Sequence, residues 1–363
     1  MYSDSDLDSA VAAGALSPDA ATSLRAYMDS RSASSPVDEE HFRLITGFND
    51  IFVSIAAAIL LFAVGWIGNA AGPNIGGDGP SPFAGLFVAG TAWGLAEFFT
   101  RKRRMALPSI LLLLAFTGGV LLTAFSSLVL AVGESSFENN ERAVALVIAA
   151  SAAIAAGATW LHWRRFRVPI TVAAGALTVV GVVMALVAYA IGEVPALEDA
   201  LLVTGLVLGL CVFLFAMWWD SSDRARQTRR SDVAFWLHLL AAPMIVHPIF
   251  SLLGLTDGDA GVSEALIVLA VYVLLGITAL AIDRRALLVS ALAYVLFALI
   301  SLFREFGAVE LNIALAAFVI GSGLLLLSAF WHGVRRSVVR PLPPALQERL
   351  PVLDRAVPAA AAA

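Results

Sequence analysis

The sequence predicts an all-α fold: a polytopic transmembrane bundle of ten spans in five out-and-back hairpins, preceded by a short cytoplasmic helical hairpin. Three observations predict it. Hydrophobic residues make up 60% of the 363-residue chain against 14% charged, with a mean hydropathy of +0.86, whereas soluble domains are roughly 45–50% apolar and about 25% charged. Apolar runs recur from Asp50 to Trp331 with no gap that could hold a soluble domain. The turns between them alternate between arginine-rich and nearly cation-free.

Residues 1–49 are expected to form a cytoplasmic helical hairpin and linker. Ser5 to Ala13 has helical character and stops at Gly14, a residue suited to a left-handed C-terminal cap. Ser17-Pro18-Asp19 then supplies an N-cap, a proline at the first helical position and an acid in the first turn. Ser32 to Pro36 reads as a linker, and Asp38-Glu39-Glu40 as the start of a helix that continues towards the membrane. No basic segment followed by an apolar core and a small-residue cleavage site precedes the first span, so that span is expected to act as the insertion signal.

The membrane domain is placed at 50–332, with spans at Asp50–Ala70, Phe83–Phe99, Ser109–Val132, Ala143–Leu161, Ile170–Ile191, Leu197–Trp219, Val233–Leu253, Ala265–Ile282, Ala286–Phe303 and Leu311–Trp331. A crossing needs about 20 residues at ~1.5 Å rise each. Phe83–Phe99 and Ala286–Phe303 are the shortest, and depend on flanking arginines that snorkel.

Orientation follows from counting cations. One side of the zigzag holds Arg25, Arg31 and Arg43, the run Arg101-Lys102-Arg103-Arg104, then Arg164, Arg165, Arg167, Arg224, Arg226, Arg229, Arg230, Arg284 and Arg285. With Arg335, Arg336, Arg340, Arg349 and Arg355 that makes 21 of the chain's 23 Lys and Arg, leaving Arg142 and Arg304 for the other side. Cation-rich loops stay in the cytoplasm, so both termini are expected there. The acids Glu134, Glu138, Glu141, Glu193, Glu198, Asp199, Asp257, Asp259 and Glu264 fall on the cation-poor side.

The basic turns recur every 50–63 residues, which parses the membrane domain into repeated hairpins. The returning helices close alike, with Glu97-Phe98-Phe99, His162-Trp163-Arg164, Trp219-Asp220, Asp283-Arg284-Arg285 and Trp331-His332. Interfacial anchoring is the simpler reading of these ends. The alternative is a vestibule in which Glu97, His162, Asp283 and His332 are functional.

Small residues mark helix contacts. Gly90 with Gly94, Gly205 with Gly209, and the stretch Ala149 to Ala158 are surfaces that let backbones approach closely, and the last of these places the fourth span centrally.

The seventh span carries His238, Pro243, His247 and Pro248. Ionisable groups inside a membrane face the bundle interior or a cavity, and each proline frees the carbonyl four residues before it, here of Leu239 and Met244. A broken or kinked helix is expected, and discontinuous helices build binding sites in transporters. Nine residues at about 100° each put His238 and His247 on opposite sides, so one metal held by both is disfavoured. A second polar cluster, Thr46, Asn49, Asp50 and Ser54, opens the first span, with Asp50 a candidate for ion coupling or for simple capping. The candidate polar site therefore comprises His238, His247, Pro243, Pro248, Asp50 and Glu97; the sequence offers no catalytic, cofactor-binding or metal-ligating set.

Residues 333–363 read as a cytoplasmic tail: arginines that touch anionic lipid, then prolines and an alanine run in a partly disordered end. The lone Cys211 lies in an apolar run and reads as packing.

The stretch Leu7 to Leu24, a helical hairpin turning on Gly14-Ala15-Leu16-Ser17-Pro18 ahead of many apolar helices, resembles the N-terminal region of the bacterial membrane proteins of domain-of-unknown-function type 2157. The resemblance spans about 20 residues and the general layout. It implies a bacterial inner-membrane protein and brings no functional residue with it.

The leading functional reading is a membrane-anchored scaffold or sensor that acts through the cytoplasmic hairpin on a protein partner. The alternative is a small-molecule transporter or permease with its site at the seventh span. An intramembrane enzyme comes last, because HExxH, GxSxG, Walker A and paired catalytic acids are all missing from the sequence. No enzymatic activity, cofactor or nucleic-acid partner is expected; the lipid bilayer is.

Overall fold

A computed structural model describes residues 4–24, 48–138, 140–192, 196–224, 226, 228–253, 262–307 and 311–353. They fall into two compact units, one in Met1–Arg43 with Asp354–Ala363, the other Leu44–Leu353. In the first, α1 (Asp4–Ala12) ends at Gly14, whose φ of 70° is left-handed, and a second helix over 18–24 is capped where the Ser17 hydroxyl accepts from the Ala20 N–H at 3.1 Å. The linker Ser32–Pro36 and the start at Asp38 lie outside the described residues.

The second unit is built from α2 (Phe48–Ala71), α3 (Pro82–Ala96), α4 (Ala106–Val132), α5 (Glu141–Phe166), α6 (Ile170–Ile191), α7 (Leu197–Ser221), α8 (Arg229–Leu252), α9 (Val262–Ile282), α10 (Ala286–Glu305) and α11 (Asn312–Ala329). These are ten helices long and apolar enough to cross a membrane among the described residues, and the chain is an all-α, multi-pass bundle. A π-helical turn, Glu97–Lys102, extends α3 into a 21-residue span, and α10 reaches 20 residues, so the two shortest expected spans are of adequate length. Large apolar side chains such as Phe52, Ile59, Phe62 and Trp66 face outwards along α2, as a lipid solvent requires.

The two ends of the bundle turn differently. At the cation-poor end the chain reverses on glycines, among them Gly133 at φ 90° and Gly192 at φ 69°. At the arginine-rich end four non-glycine residues take the left-handed conformation, Arg104, Arg167, Arg226 and Asp283, one after each returning helix α3, α5, α7 and α9. Such residues are uncommon outside glycine, and their recurrence matches the repeat read from the sequence. The most extensive packing joins α5 to α6, α7 to α8 and α3 to α4, three of the four pairs that these arginine-rich turns connect.

Small residues decide how near those pairs come. A Cβ on Gly85 of α3 would collide with the Gly119 carbonyl of α4, and one on Gly209 of α7 would lie 2.9 Å from the Cβ of Met244 on α8. Gly90 and Gly94, by contrast, have nothing within 4 Å and mediate no close approach inside the chain. The seventh span is the most buried: 56% of its apolar stretch is enclosed in α8 against 39% for the fourth span, α5. It is also unbroken. Helix α8 runs continuously through Pro243 and Pro248, so the expected discontinuity does not form. Part of the reason lies at Gly209, which lets the Met244 carbonyl, left without its helical donor by Pro248, rest against α7 at 3.0 Å from the position of a Cβ.

The tail is part of the bundle as far as Leu353. Helix α12 (Trp331–Val339) and the short α13 (Pro344–Gln347) bring Trp331, Val339 and Leu350 into one buried cluster with Leu280, Ile282 and Leu287. The alanine run lies outside the described residues.

Candidate functional site

Two places on the α7–α8 hairpin concentrate chemistry, one at each end. At the arginine-rich end the bundle encloses an ion-pair network. Asp220, on the last turn of α7, has a fully enclosed side chain and accepts from Arg284 Nη2 at 2.7 Å and Nε at 3.4 Å. Arg226 Nη2 approaches the same carboxylate at 3.5 Å. Arg226 Nη1 donates to Asp283 Oδ2 at 3.0 Å, and its Nη2 donates to the Ile282 and Asp283 carbonyls at 2.9 and 3.2 Å. Two left-handed turns thus grip each other, since Arg226 and Asp283 are the residues at φ 52° and 58°.

The network continues into α12. The Trp331 indole donates to Asp283 Oδ1 at 2.7 Å, and Arg335 Nε stands 3.7 Å from that oxygen. Arg335 also donates to the carbonyls of Pro351 and Val352 at 2.8 and 3.2 Å, while Arg224 donates to those of Leu350 and Gln347 at 2.9 and 3.0 Å. Four arginines therefore tie the arginine-rich ends of α7, α8 and α9 and the C-terminal segment together. Burial draws the Arg226 guanidinium below its usual value, with Arg284 and Arg335 adding to the effect and Asp220 and Asp283 opposing it; arginine keeps its charge at any physiological pH.

His238 borders this network and is wholly enclosed. Its Nε2 lies 3.7 Å from Asp220 Oδ2, beyond hydrogen-bond reach, and neither ring nitrogen has a hydrogen-bond partner. The ring meets Phe213 edge-on at 5.2 Å. Enclosed charges tolerate this environment only when paired, and every carboxylate and guanidinium of the network is.

At the cation-poor end, α6, α7 and α8 frame a groove of about 850 Å³. Its walls are apolar, with Val180, Met184, Leu201 and Met244 among them, and Glu198 and His247 supply the ionisable groups. Both prolines of α8 line it, Pro243 exposed and Pro248 buried. His247 Nδ1 shares a 2.7 Å hydrogen bond with the Tyr294 hydroxyl of α10, and Tyr294 is itself stacked on Phe250 at 4.4 Å. The groove volume falls within the about 300–1,000 Å³ of small-molecule sites.

The six residues singled out in the sequence separate accordingly. His247, Pro243 and Pro248 meet at the groove. His238 belongs to the network at the opposite end, on the other side of α8. Asp50 is buried in the first turn of α2, where the Ser54 hydroxyl donates to its carbonyl at 2.7 Å, and it stands apart from both places; Thr46 lies outside the described residues. Glu97 is an exposed ion pair, bound by Arg165 through both oxygens at 2.6 and 3.0 Å and by Arg101 at 3.2 Å. His162 is buried among Trp93, Phe116 and Phe166, with Nδ1 3.4 Å from the Thr171 hydroxyl. Of the residues that a vestibule at the arginine-rich end would use, Asp283 is locked in ion pairs, while Glu97 and His162 have the separate partners just described.

Sequence reasoning passed over Asp220, Arg226, Arg284, Arg335 and Tyr294. A signal for the first existed, since Asp220 is an acid at the end of an apolar run on the side where cations dominate. Fold and sites together define a multi-pass membrane protein with a charge-locked end and a groove at the other. No family model, curated protein or solved structure matches the chain.

Proposed function

We propose that this is a membrane transport or carrier protein that takes a lipophilic cation into the groove between α6, α7 and α8. The observation that carries the reading is the groove itself: about 850 Å³ with apolar walls, and a carboxylate, Glu198, with an imidazole, His247, as its ionisable groups. An apolar body would be held by the walls, and a positive head by Glu198 at the end of the bundle where Glu134, Glu141 and Asp199 also lie and Lys and Arg are scarce. The positive-inside rule supports an orientation with both termini cytoplasmic, so that the groove belongs to the outer leaflet; the bacterial inner membrane is the setting that the N-terminal resemblance implies.

The test uses purified full-length protein and tetraphenylphosphonium as the probe. Saturable binding is expected, weakened about tenfold by Glu198→Gln, together with uptake into proteoliposomes that His247→Ala diminishes. Absence of saturable binding sinks the reading, and saturable binding without uptake reduces it to a receptor.

One observation favours the scaffold or sensor instead: the N-terminal hairpin falls in a compact unit separate from the membrane helices, Met1–Arg43 with Asp354–Ala363, and its Ala21 is buried. Full complementation of a null strain by a chain lacking Met1–Ser35 would dispose of that alternative.

A further inference from the structure

A second recess, at the arginine-rich end, is separate from both the network and the groove. It encloses about 530 Å³ between the inner end of α5 and the α7–α8 turn. Three indoles, Trp163, Trp218 and Trp219, form much of its wall, and three arginines, Arg167, Arg229 and Arg230, stand around it. The guanidinium of Arg167 lies 5.5 Å from the Trp163 ring centroid, and Trp218 and Trp219 meet edge to face at 5.5 Å. Among the described residues none of these three arginines is in an ion pair, in contrast to Arg165, Arg226, Arg284 and Arg335. Asp232 is close enough to Arg229 to interact, and Asp223, which accepts from the Thr228 N–H and hydroxyl, is a second acid of the neighbourhood. The buried indole N–H of Trp219 has no hydrogen-bond partner.

We infer that this recess is a binding site for an anionic phospholipid, independent of the groove and of any transport. A phosphodiester needs several donors in forked geometry, which arginine provides better than any other side chain. Trp219 and Ser222 belong to the same lining, where the Ser222 hydroxyl donates to the Trp219 carbonyl at 2.6 Å and keeps its lone pairs free to accept. The rest of the ligand needs amphipathic walls at the level where a helix leaves the bilayer, and tryptophan is the residue that favours that level. A lipid satisfies both demands at once, whereas free phosphate uses only the arginines. Three exposed arginines against Asp232 and Asp223 leave the site net positive, and the three indoles among them distinguish it from a plain basic surface.

The experiment is native mass spectrometry of the purified full chain with phosphatidylglycerol, phosphatidylcholine or inorganic phosphate added. Each arginine beside an anionic lipid contributes about fivefold, so replacing Arg167, Arg229 and Arg230 by Gln should lower phosphatidylglycerol retention roughly 100-fold. The charge-matched variant with Lys102, Arg103 and Arg164 changed to Gln should retain it, because those exposed residues stand outside the recess. Retention of phosphatidylglycerol over phosphatidylcholine by the wild-type chain is expected and needs no variant to be read. Equal retention of the two lipids overturns the inference, as does equal loss in both triple variants. Displacement of phosphatidylglycerol by millimolar inorganic phosphate would make the ligand a free phosphate and overturn the lipid assignment.

Discussion

Replacing Asp220 by Asn removes one negative charge from the enclosed network while keeping the side chain's volume. The wild-type group holds two carboxylates, Asp220 and Asp283, and three guanidiniums, Arg226, Arg284 and Arg335, all at most 6% exposed. Losing the Asp220 charge leaves Arg284 without its 2.7 Å partner and raises the enclosed excess of positive charge from one to two. Breaking a buried pair from one side costs about 3–5 kcal/mol. Asn keeps the volume and one acceptor oxygen, so the lower end applies, about 3 kcal/mol or roughly 150-fold in the unfolding equilibrium. The assay is unfolding of the purified chain by SDS in mixed micelles, followed by tryptophan fluorescence. A double-mutant cycle with Arg284→Met completes it, since removing both partners should cost less than the sum of the single losses by about 2 kcal/mol. Glu97→Gln is the internal contrast: its bond to Arg165 is as short, at 2.6 Å, but exposed, and its midpoint should hardly move. Strict additivity in the cycle, or equal shifts for Asp220→Asn and Glu97→Gln, would refute the claim that enclosure makes this network matter.

Two further expectations follow from the packing. Gly209→Ala should destabilise by about 1–3 kcal/mol, because its methyl would meet the Met244 backbone at 2.9 Å, whereas Gly94→Ala, which points into open space, should cause no loss in the same SDS titration. Truncation after Arg340 should lower stability by roughly 3 kcal/mol or more, since it strips Arg335 and Arg224 of the carbonyls of Gln347, Leu350, Pro351 and Val352. Adding Arg335→Met to the truncated chain should restore part of that loss, and a further drop would contradict the assignment.

The ten spans and their alternation were legible because both are one-dimensional. The cost of placing an arginine in hydrocarbon, or of leaving a backbone group unbonded there, depends on depth along one axis. Pairing across the bundle is not of that kind. Asp220 and Arg284 are 64 residues apart, and α7 is an almost wholly apolar helix, so nothing in the local pattern says which of its faces meets the α9–α10 turn that carries Arg284. His238 and His247 were separable because the 100° step of a helix is local too. The two prolines misled for a related reason. Whether a freed carbonyl breaks a helix depends on what lies across from it, and Gly209, which lies across from the carbonyl of Met244, belongs to another helix. The tail was read as a free stub because its prolines and arginines are individually polar signals. Yet Arg335 donates to two carbonyls of the same tail, and Leu350 enters the core.

What unites the two ends is α8. Its arginine-rich half is surrounded: Val233, Ala234, Leu237, His238, Ala241 and Ala242 are all buried, and the carbonyl of Ser231 accepts from Arg284 at 3.1 Å. Its other half begins at Pro243, where two residues in six lack a backbone donor and one side opens on the groove. Missing donors weaken backbone bonding, but Ile245, Val246, Pro248 and Phe250 stay buried in this half, so the loosening is confined to the side that faces the groove. Compliance there leaves the ion pairs intact, because Gly209 and Met244 touch between the two regions. A ligand of the kind proposed for the groove would therefore meet proline-weakened backbone and the His247–Tyr294 hydrogen bond, while the charge network at the far end holds register.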